Sequence, residues 1–238
     1  MPPARDPEQV PLHASAVWAG ETVRLLPSSA LWWPAARVLF VADLHLGKAA
    51  SYRALGQPVP AGSTQDNLRR LDALIEEYAP RRLVFLGDFL HAASGRTRAV
   101  LDALLRWRQR HPGVAMVLVR GNHDRRAGDP PLEAKLDVVD EPWLLGPFAC
   151  CHHPRYHPTH FVLAGHVHPV LRLGGPARDR IRLPCFVNDD RQAILPAFGA
   201  FTGGRLVIHG PVGGPARVLH AVGGGRVWLV PAQRQAGR

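Results

Sequence analysis

The chain has 238 residues, of which 46% are hydrophobic and 20% charged, a composition typical of a globular protein rather than a disordered one. Its three cysteines lack a CxxC spacing, which excludes a disulfide scaffold and a thiolate zinc site. No apolar run approaches the roughly 20 residues of a membrane-spanning helix, and the formal net charge of +10 favours phosphate-rich partners.

The N-terminal segment is rich in proline and polar residues. We therefore expect residues 1–12 to be disordered and residues 13–238 to form a single domain. The segment lacks the apolar stretch of a secretory signal, so the expected location is the cytoplasm. Residues 16–26 predict two short strands about a glycine turn.

The middle of the chain alternates between apolar, β-branched runs and segments with helical periodicity. This alternation predicts a parallel α/β sheet. After residue 130, short apolar runs separated by glycine pairs predict antiparallel strands and hairpins instead. The predicted strands of the middle region are 37–42, 82–86 and 114–119, and its predicted helices are 63–78 and 97–110.

Metal-binding residue types follow each apolar run of the middle region. They are Asp43 and His45; Asp88; Asn122, His123 and Asp124; His152 and His153; and His166 and His168. Ligands bind outside the carboxyl ends of strands in open α/β sheets, so we expect these side chains to converge on one rim. Residues two apart in a regular strand point the same way, so a D-x-H or H-x-H pair could chelate jointly.

The donor types indicate which metals would bind. Imidazole, carboxylate and amide oxygen without thiolate suit Mn²⁺, Fe or Zn²⁺. Even seven ligands drawn from these ten residues are too many for one tetrahedral zinc and fit two metals that share a bridging ligand. The carboxylate of Asp88 is the natural choice for the bridge. Two metals about 3.5–4 Å apart stabilise in-line displacement at phosphorus. A chance occurrence of the whole ordered set is the disfavoured alternative.

This ordered set resembles the calcineurin-like metallophosphoesterase superfamily over residues 37–170. Further stretches, among them A-L-W-W-P, L-P-C-F and I-L-P-A-F-G-A-F-T-G-G, are similar to the bacterial ligase-associated DNA-damage-response metallophosphoesterase family. The resemblance implies an α/β fold, a four-layer α/β/β/α sandwich of two mixed β-sheets. It also implies a Mn²⁺-dependent phosphodiesterase and DNA endonuclease that is encoded beside a DNA ligase, a helicase and an exonuclease.

The resemblance also implies two sets of metal ligands with one shared member. The first metal takes Asp43, His45, Asp88 and His168, and the second takes Asp88, Asn122, His152 and His166. Relatives have H-x-P with a non-histidine middle residue, whereas this chain has H-H-P. We assign His152 because it holds the first position, and His153 is the alternative.

Three other residues near the motifs each have two alternative roles. The resemblance places His123 beside the phosphate, where it stabilises the transition state or protonates the leaving oxygen; the alternative is support of a metal ligand. Asp124 orients His123 or caps the following turn. His91 is either a donor to a site residue or an ordinary loop residue.

Basic and aromatic residues near the motifs are candidates for binding nucleic acid. Lys48 and Arg125 are the preferred phosphate contacts, and the alternative for both is a solvated surface charge. Trp32 and Trp33 could stack on bases, although a core or edge-strand role is favoured.

The sequence therefore predicts a cytoplasmic phosphodiesterase, with no membrane partner, that cuts single-stranded or flexible DNA in DNA repair. The expected nucleophile is a hydroxide that bridges two divalent metals, with Mn²⁺ preferred over Fe or Zn²⁺. One rival is a phosphatase or phosphodiesterase of small nucleotides or phosphoproteins on the same centre. The other is a non-catalytic scaffold, which the complete ligand set disfavours.

Overall fold

The computed structural model describes residues 12–60, 62–174, 180–207 and 216–231. The prediction of disorder for residues 1–12 concerns residues that, apart from Leu12, lie outside these ranges. The glycine pair at 213 also lies outside them.

The first sheet has seven strands, and their spatial order follows the chain. The first four strands pair antiparallel with one another, and the fourth to the seventh pair parallel, so the fourth strand belongs to both sets. The strands are β1 (Ala14–Trp18), β2 (Glu21–Leu25), β3 (Leu31–Trp33), β4 (Val38–Val41), β5 (Arg82–Leu86), β6 (Ala115–Val119) and β7 (Asp137–Val139). Strands β3 and β4 are buried throughout because both faces of this part of the sheet are covered.

The α-helices of the described residues lie between positions 48 and 127, and two 3₁₀ helices span Ala93–Gly95 and Leu132–Ala134. The α-helices are α1 (Lys48–Ala54), α2 (Ser63–Tyr78), α3 (Arg98–Arg110) and α4 (Asn122–Ala127). Helix α2 buries Leu68, Leu71, Leu74 and Ile75 in a cluster that includes Phe85 of β5, so the apolar stripe of the helix covers one face of the first sheet. Each such side chain contributes about 1.5–3 kcal/mol when fully buried.

The second sheet has nine strands and is also mixed. Its strands are β8 (Trp143–Leu145), β9 (Phe148–Cys150), β10 (Phe161–Ala164), β11 (Pro169–Gly174), β12 (Arg180–Asn188), β13 (Gln192–Ile194), β14 (Arg205–Leu206), β15 (Val218–Gly223) and β16 (Arg226–Val230). The main order is β14-β11-β12-β13-β10-β9-β8, and β15 joins β12 to β16. Strand β10 lies parallel to β9 and β13 at the centre of the sheet. The expectation of antiparallel pairing after residue 130 is therefore wrong at this centre.

The two sheets pack face to face through a shared apolar core. Phe148 of the second sheet stands perpendicular to Trp33 of the first, with ring centroids 5.0 Å apart, and it also contacts Phe40 at 6.4 Å. The α/β fold with two mixed sheets is thus as predicted. Among the described residues no helix packs on the outer face of the second sheet, so three of the four predicted layers are seen.

The predicted elements of the middle region agree closely with the structure. Helix 63–78 and strand 82–86 have the predicted bounds, and helix 97–110 begins one residue late because Thr97 caps it by accepting the N–H of Val100. Helices α1 and α4 were not predicted, since seven and six residues are too few to show helical periodicity. No helix in the described part of the chain is long and apolar enough to cross a membrane.

Candidate metal centre

The motif residues meet where strand ends of the two sheets face each other. Strands β4, β5 and β6 of the first sheet are parallel, so the loops that follow them leave the same edge. Strands β9 and β10 of the second sheet are also parallel, and their loops meet that edge. Five strand ends therefore converge, as predicted, but they belong to two sheets rather than to one.

Five of the seven candidate ligands have left-handed backbone conformations. Their φ angles are 54° for Asp43, 49° for His45, 51° for Asp88, 69° for His166 and 48° for His168. Each such conformation costs a non-glycine residue about 1–3 kcal/mol and persists only where the surroundings enforce it. The D-x-H pair thus converges through a strained loop beyond the strand end, and not through the alternation of a regular strand that the sequence reasoning assumed. The two histidines of the H-x-H pair belong to different donor groups.

Backbone hydrogen bonds hold these loops against one another. The N–H of His45 donates to the carbonyl of Asp88 at 2.8 Å, and the N–H of Asp43 donates to the carbonyl of Gly87 at 3.2 Å. The N–H of His166 donates to both carboxylate oxygens of Asp43, at 3.0 and 2.9 Å. The last contact joins a loop of the second sheet to a loop of the first.

Glycines let the loops approach this closely. A Cβ at Gly87 would lie 2.2 Å from Nδ1 of His152, and one at Gly121 would lie 2.4 Å from Oδ1 of Asp88. Both distances are far below van der Waals contact. The glycines of the G-D and G-N-H-D motifs are therefore required by the packing around two of the candidate ligands.

One group of donor atoms combines two carboxylates and two imidazoles. The atoms that Asp43, His45, Asp88 and His168 offer all lie within 4.8 Å of one another. Nε2 of His168 lies 3.3 Å from Nε2 of His45 and 3.4 Å from Oδ1 of Asp43. This is the set that the sequence assigned to the first metal.

A second group surrounds His152 and shares Asp88 with the first. Nε2 of His152 lies 3.0 Å from Oδ1 of Asn122, 3.3 Å from Oδ1 of Asp88 and 3.1 Å from Nδ1 of His166. His152 and Asp88 are both buried. These four residues are the set that the sequence assigned to the second metal.

The orientation of two imidazole rings suits a cation. Nδ1 of His152 lies 3.1 Å from the carbonyl of Leu86, and Nδ1 of His168 lies 3.1 Å from the carbonyl of Gly203. A carbonyl only accepts, so each Nδ1 carries a hydrogen, and in the neutral ring Nε2 presents a lone pair. Each Nε2 faces a carboxylate oxygen, that of Asp88 for His152 and that of Asp43 for His168, so a positive charge, either a ring proton or a metal ion, belongs between the atoms. The donor set fits two divalent metals that share Asp88.

The ionisation of the buried groups is consistent with metal binding. Burial lowers the pKa of His152 and therefore favours the neutral imidazole, which is the form that binds metals. Burial raises the pKa of Asp88, and the hydrogen bond from the N–H of His123 opposes this rise. A cation beside Asp88 would restore the ionised carboxylate.

The structure separates the two histidines of the H-H-P motif. His152 is buried among the candidate ligands, whereas the side chain of His153 is 40% exposed and its Nδ1 lies 2.7 Å from Oε1 of Glu141. Oε2 of Glu141 accepts the backbone N–H of both His152 and His153, at 2.7 and 2.9 Å. These contacts favour His152 as the ligand. His153 nevertheless lies close enough to His152 and His166 for the three side chains to form a possible metal-binding group.

His123 and His91 pack beside the first group of ligands. Nδ1 of His123 lies 2.6 Å from the carbonyl of His91, so this nitrogen carries a hydrogen and Nε2 is left for chemistry, 4.0 Å from Oδ2 of Asp88. Nδ1 of His91 lies 3.3 Å from Nδ1 of His45. His91 therefore contacts two site residues and is not an ordinary loop residue.

Asp124 braces two of the loops and does not hydrogen-bond to the ring of His123. Its carboxylate accepts the N–H of Gly121 and the N–H of Leu90, both at 2.9 Å, and it is fully buried. Burial raises its pKa to about 6, against the effect of these hydrogen bonds. The carboxylate therefore caps the start of α4 at Gly121 and does not cap the following turn or orient the ring of His123, which were the two roles considered from sequence.

The two candidate phosphate contacts have different surroundings. Lys48 begins α1 and is half-buried; burial lowers its pKa, while the carboxylates of Asp88 and Asp43 act to raise it. Arg125 is exposed and forms an ion pair with Asp140 at 3.0 Å, so a phosphate would have to compete with that carboxylate. Lys48 is the better placed of the two.

Trp32 and Trp33 do not form a base-stacking surface. Each is only 6% exposed, and β3, which contains both, lies between β2 and β4. The core role that was favoured from sequence is therefore observed. Sequence reasoning missed Glu141 and Tyr52, which contact motif residues but belong to no ligand pattern, and Phe201, which contacts Tyr52.

Comparisons with known proteins agree with this geometry. The sequence model of the calcineurin-like phosphoesterase family matches residues 36–160. The chain belongs to this family. The crystal structure of the Pseudomonas putida nuclease MPE is similar at 48% identity with a TM-score of 0.80, and the alignment covers 92% of this chain and 100% of that one. This similarity is consistent with the predicted resemblance to the bacterial DNA-repair metallophosphoesterases.

More distant comparisons add little. Yfce, a phosphoesterase from E. coli, aligns at 17% identity with a TM-score of 0.35 over 79% of this chain and 88% of that one, which is too low to support an argument. The comparison with curated proteins finds no match. Family membership and the similarity to a nuclease show that the protein is a hydrolytic metallophosphoesterase with residues that could bind divalent metals.

Proposed function

We propose that the protein is a binuclear metal-dependent phosphodiesterase that cuts single-stranded or flexible DNA internally. The observation that carries the proposal is the pair of donor groups that share Asp88, in which the Nε2 atoms of His152 and His168 face carboxylate oxygens. We assign Asp43, His45, Asp88 and His168 to one metal and Asp88, Asn122, His152 and His166 to the other. Mn²⁺ is the proposed metal because oxygen and imidazole donors suit it.

Two observations support DNA as the substrate. The similar P. putida protein is a nuclease, and this chain carries a net charge of +10, which attracts polyanions. The site also lies where the loops of two sheets meet at their edges, and the side chain of His123 is 30% exposed. An unpaired backbone reaches a site at such a rim more easily than a stiff duplex does.

The chain's own residues would divide the catalytic work. When bound, two divalent metals supply a nucleophile at neutral pH and offset charge on the phosphoryl oxygens. Nε2 of His123 is positioned to hold the proton that the leaving oxygen takes up, because Nδ1 is engaged by the carbonyl of His91. The ammonium of Lys48, which interacts with the carboxylates of Asp88 and Asp43, would attract a phosphate of the substrate.

The proposal extends to the setting in which the protein acts. We place it in DNA repair in the cytoplasm, with a DNA ligase, a helicase and an exonuclease as functional partners. This setting rests on the resemblance of the motifs to the ligase-associated family.

Cleavage of circular single-stranded DNA tests the proposal. Because a circle has no ends, its conversion to linear strands in the presence of Mn²⁺ proves internal cutting. Parallel reactions contain Fe²⁺, Zn²⁺ or a chelator, and an aryl phosphomonoester and a phosphopeptide serve as competing substrates. Rapid hydrolysis of either monoester with intact circles would refute the nuclease and establish the phosphatase on the same centre.

A further inference from the structure

A continuous series of aromatic rings leads away from the candidate metal centre. The ring of His123 stacks on that of His91 with centroids 4.9 Å apart, and the ring of Tyr52 also stacks on that of His91, with centroids 6.0 Å apart. Phe201 then meets Tyr52 at 5.8 Å with its ring nearly perpendicular. Tyr52 lies outside the metal-binding motifs, and Phe201 belongs to the I-L-P-A-F-G-A-F-T-G-G stretch.

The segment around Phe201 is anchored on both sides to candidate ligands. The N–H of Gly199 donates to the carbonyl of Asp43 at 3.1 Å, and the carbonyl of Gly203 accepts from Nδ1 of His168 at 3.1 Å. Thr202 closes the turn by donating its hydroxyl to the carbonyl of Gly199. The position of Phe201 is therefore fixed relative to the site.

Phe201 is nevertheless 43% exposed, although it lies beside Tyr52 at a site rim. A phenyl ring held rigidly at a rim and left open to solvent favours a ligand with a flat face. The ammonium of Lys48 lies 6.0 Å from the centroid of Tyr52, so a positive charge accompanies the aromatic surface. Aromatic rings next to a cation are the combination that binds single-stranded nucleic acid.

We propose that Phe201, buttressed by Tyr52, is a stacking subsite for a nucleobase of the single strand whose phosphate lies at the metal centre. This inference rests on the proposed function and specifies its substrate recognition. Stacking requires only a π-face, so the subsite selects unpaired bases without selecting their identity. We assign base stacking to Phe201 instead of to Trp32 and Trp33, which are buried.

Binding of single strands to the metal-loaded protein tests the inference. The probes are a fluorescent oligonucleotide with phosphorothioate linkages that slow cleavage and the same strand without bases. Loss of one base–aromatic stack weakens binding about 5- to 150-fold. We expect this loss for Phe201→Ala and Phe201→Leu with the base-bearing strand, and retention of affinity for Phe201→Trp.

Matched variants separate stacking from folding. Phe201→Leu keeps apolar bulk without a π-face, and Leu132→Ala removes a side chain that is 94% exposed beside α3, away from the site. We expect Leu132→Ala to bind like the wild type. Tyr52→Phe should retain affinity and Tyr52→Ala should lose it. Metal content and melting temperature of each variant report its folding.

The outcomes distinguish this inference from the proposed function. Equal affinity of the wild type and Phe201→Leu for the base-bearing strand would overturn the subsite, even if the protein cuts circular DNA. Phe201-dependent binding without any cleavage would support the subsite and refute the nuclease. Absence of binding to either strand would overturn both.

Discussion

The backbone N–H of His123 donates a hydrogen bond of 2.9 Å to Oδ1 of Asp88. The residue proposed to protonate the leaving group is thereby attached to the carboxylate proposed to bridge the metals. The loops after β5 and β6 are held in register by this contact and by the bonds of Asp124. Changes at Asp88 should therefore affect both the metals and the position of His123.

We expect Asp88→Ala to abolish hydrolysis while the protein stays folded. The change removes the oxygens that both donor groups share, so the loss should exceed the about 10–100-fold that a residue supporting a ligand costs. Metal analysis and turnover of an aryl phosphodiester measure the effect. Asp66→Ala, which removes an exposed ion pair with Arg69 on α2, is the control. Two bound metals and near-normal turnover in Asp88→Ala would refute the bridge.

The H-H-P motif makes an unequal pair of variants. His152→Ala should lower the metal content toward one equivalent per chain, because it removes the buried nitrogen next to Asn122 and Asp88. His153→Ala should retain both metals, since it removes a contact with Glu141 and ring packing against His152 and His166 but no assigned ligand atom. Elemental analysis of both proteins decides, and the reverse result would transfer the ligand role to His153.

His123→Ala should affect DNA and activated substrates differently. General acid catalysis contributes about 10²–10⁴-fold to the rate. The sugar alkoxide that leaves from DNA is a poor leaving group and needs the proton more than the aryloxide that leaves from an aryl phosphodiester. The loss of turnover should be large on single-stranded DNA and small on an aryl phosphodiester, with both metals retained. Equal losses would indicate electrostatic stabilisation of the phosphoryl oxygens instead.

Two glycines with the same backbone conformation allow a controlled test of the packing around His152. Gly87 and Gly20 have φ angles of 80° and 82°, but only a Cβ at Gly87 would collide with His152. Gly20→Ala should cost the about 1–2 kcal/mol of a left-handed residue. Gly87→Ala should lower the melting temperature further and weaken metal binding. Equal effects of the two changes on both measurements would contradict the contact.

The residues of the candidate site were more predictable than the conformations that bring them together. Metal-binding residue types at strand ends are visible in a sequence, because strand ends follow from apolar runs. The left-handed conformations of Asp43 and Asp88 are not visible, since they are imposed by contacts with distant loops. Glu141 was not visible either, because it belongs to no ligand pattern and reaches His152 and His153 through the pairing of β8 with β9, which places Trp143 opposite Cys150.

The fold shows a similar division. The middle region was predictable because its helices carry an apolar stripe and its strands are continuously apolar. The second sheet was less predictable, because β9, β10 and β13 are strands of three or four residues whose pairing is set by contacts distant in sequence. Short strands between glycines suggest hairpins, and only tertiary packing selects the parallel arrangement.

A buried histidine far along the chain gives a pH prediction. His220 on β15 is 8% exposed, its Nδ1 has no hydrogen-bond partner among the described residues, and burial lowers its pKa. As the pH falls below about 6.5, the unfolded chain takes up the proton before the folded protein does, so the free energy of unfolding falls.

His220→Leu should weaken this acid sensitivity by less than about 1.4 kcal/mol per pH unit, the limit for one proton. Urea unfolding of the wild type and the variant at pH 7.5 and pH 5.5 measures the difference. Because the histidines of the metal centre are common to both proteins, their titration cancels in the comparison. An identical pH dependence of both proteins would contradict the prediction.

The ligand groups draw residues from both sheets: Asp43 and Asp88 follow strands of the first, and His152 and His168 follow strands of the second. Metals bound there would link the loops of the two sheets to each other. A site occupied at a hundred times its dissociation constant contributes about 2.7 kcal/mol against unfolding. Resistance to proteolysis would then depend on the supply of metal, so metal depletion would reduce the amount of the protein as well as its activity.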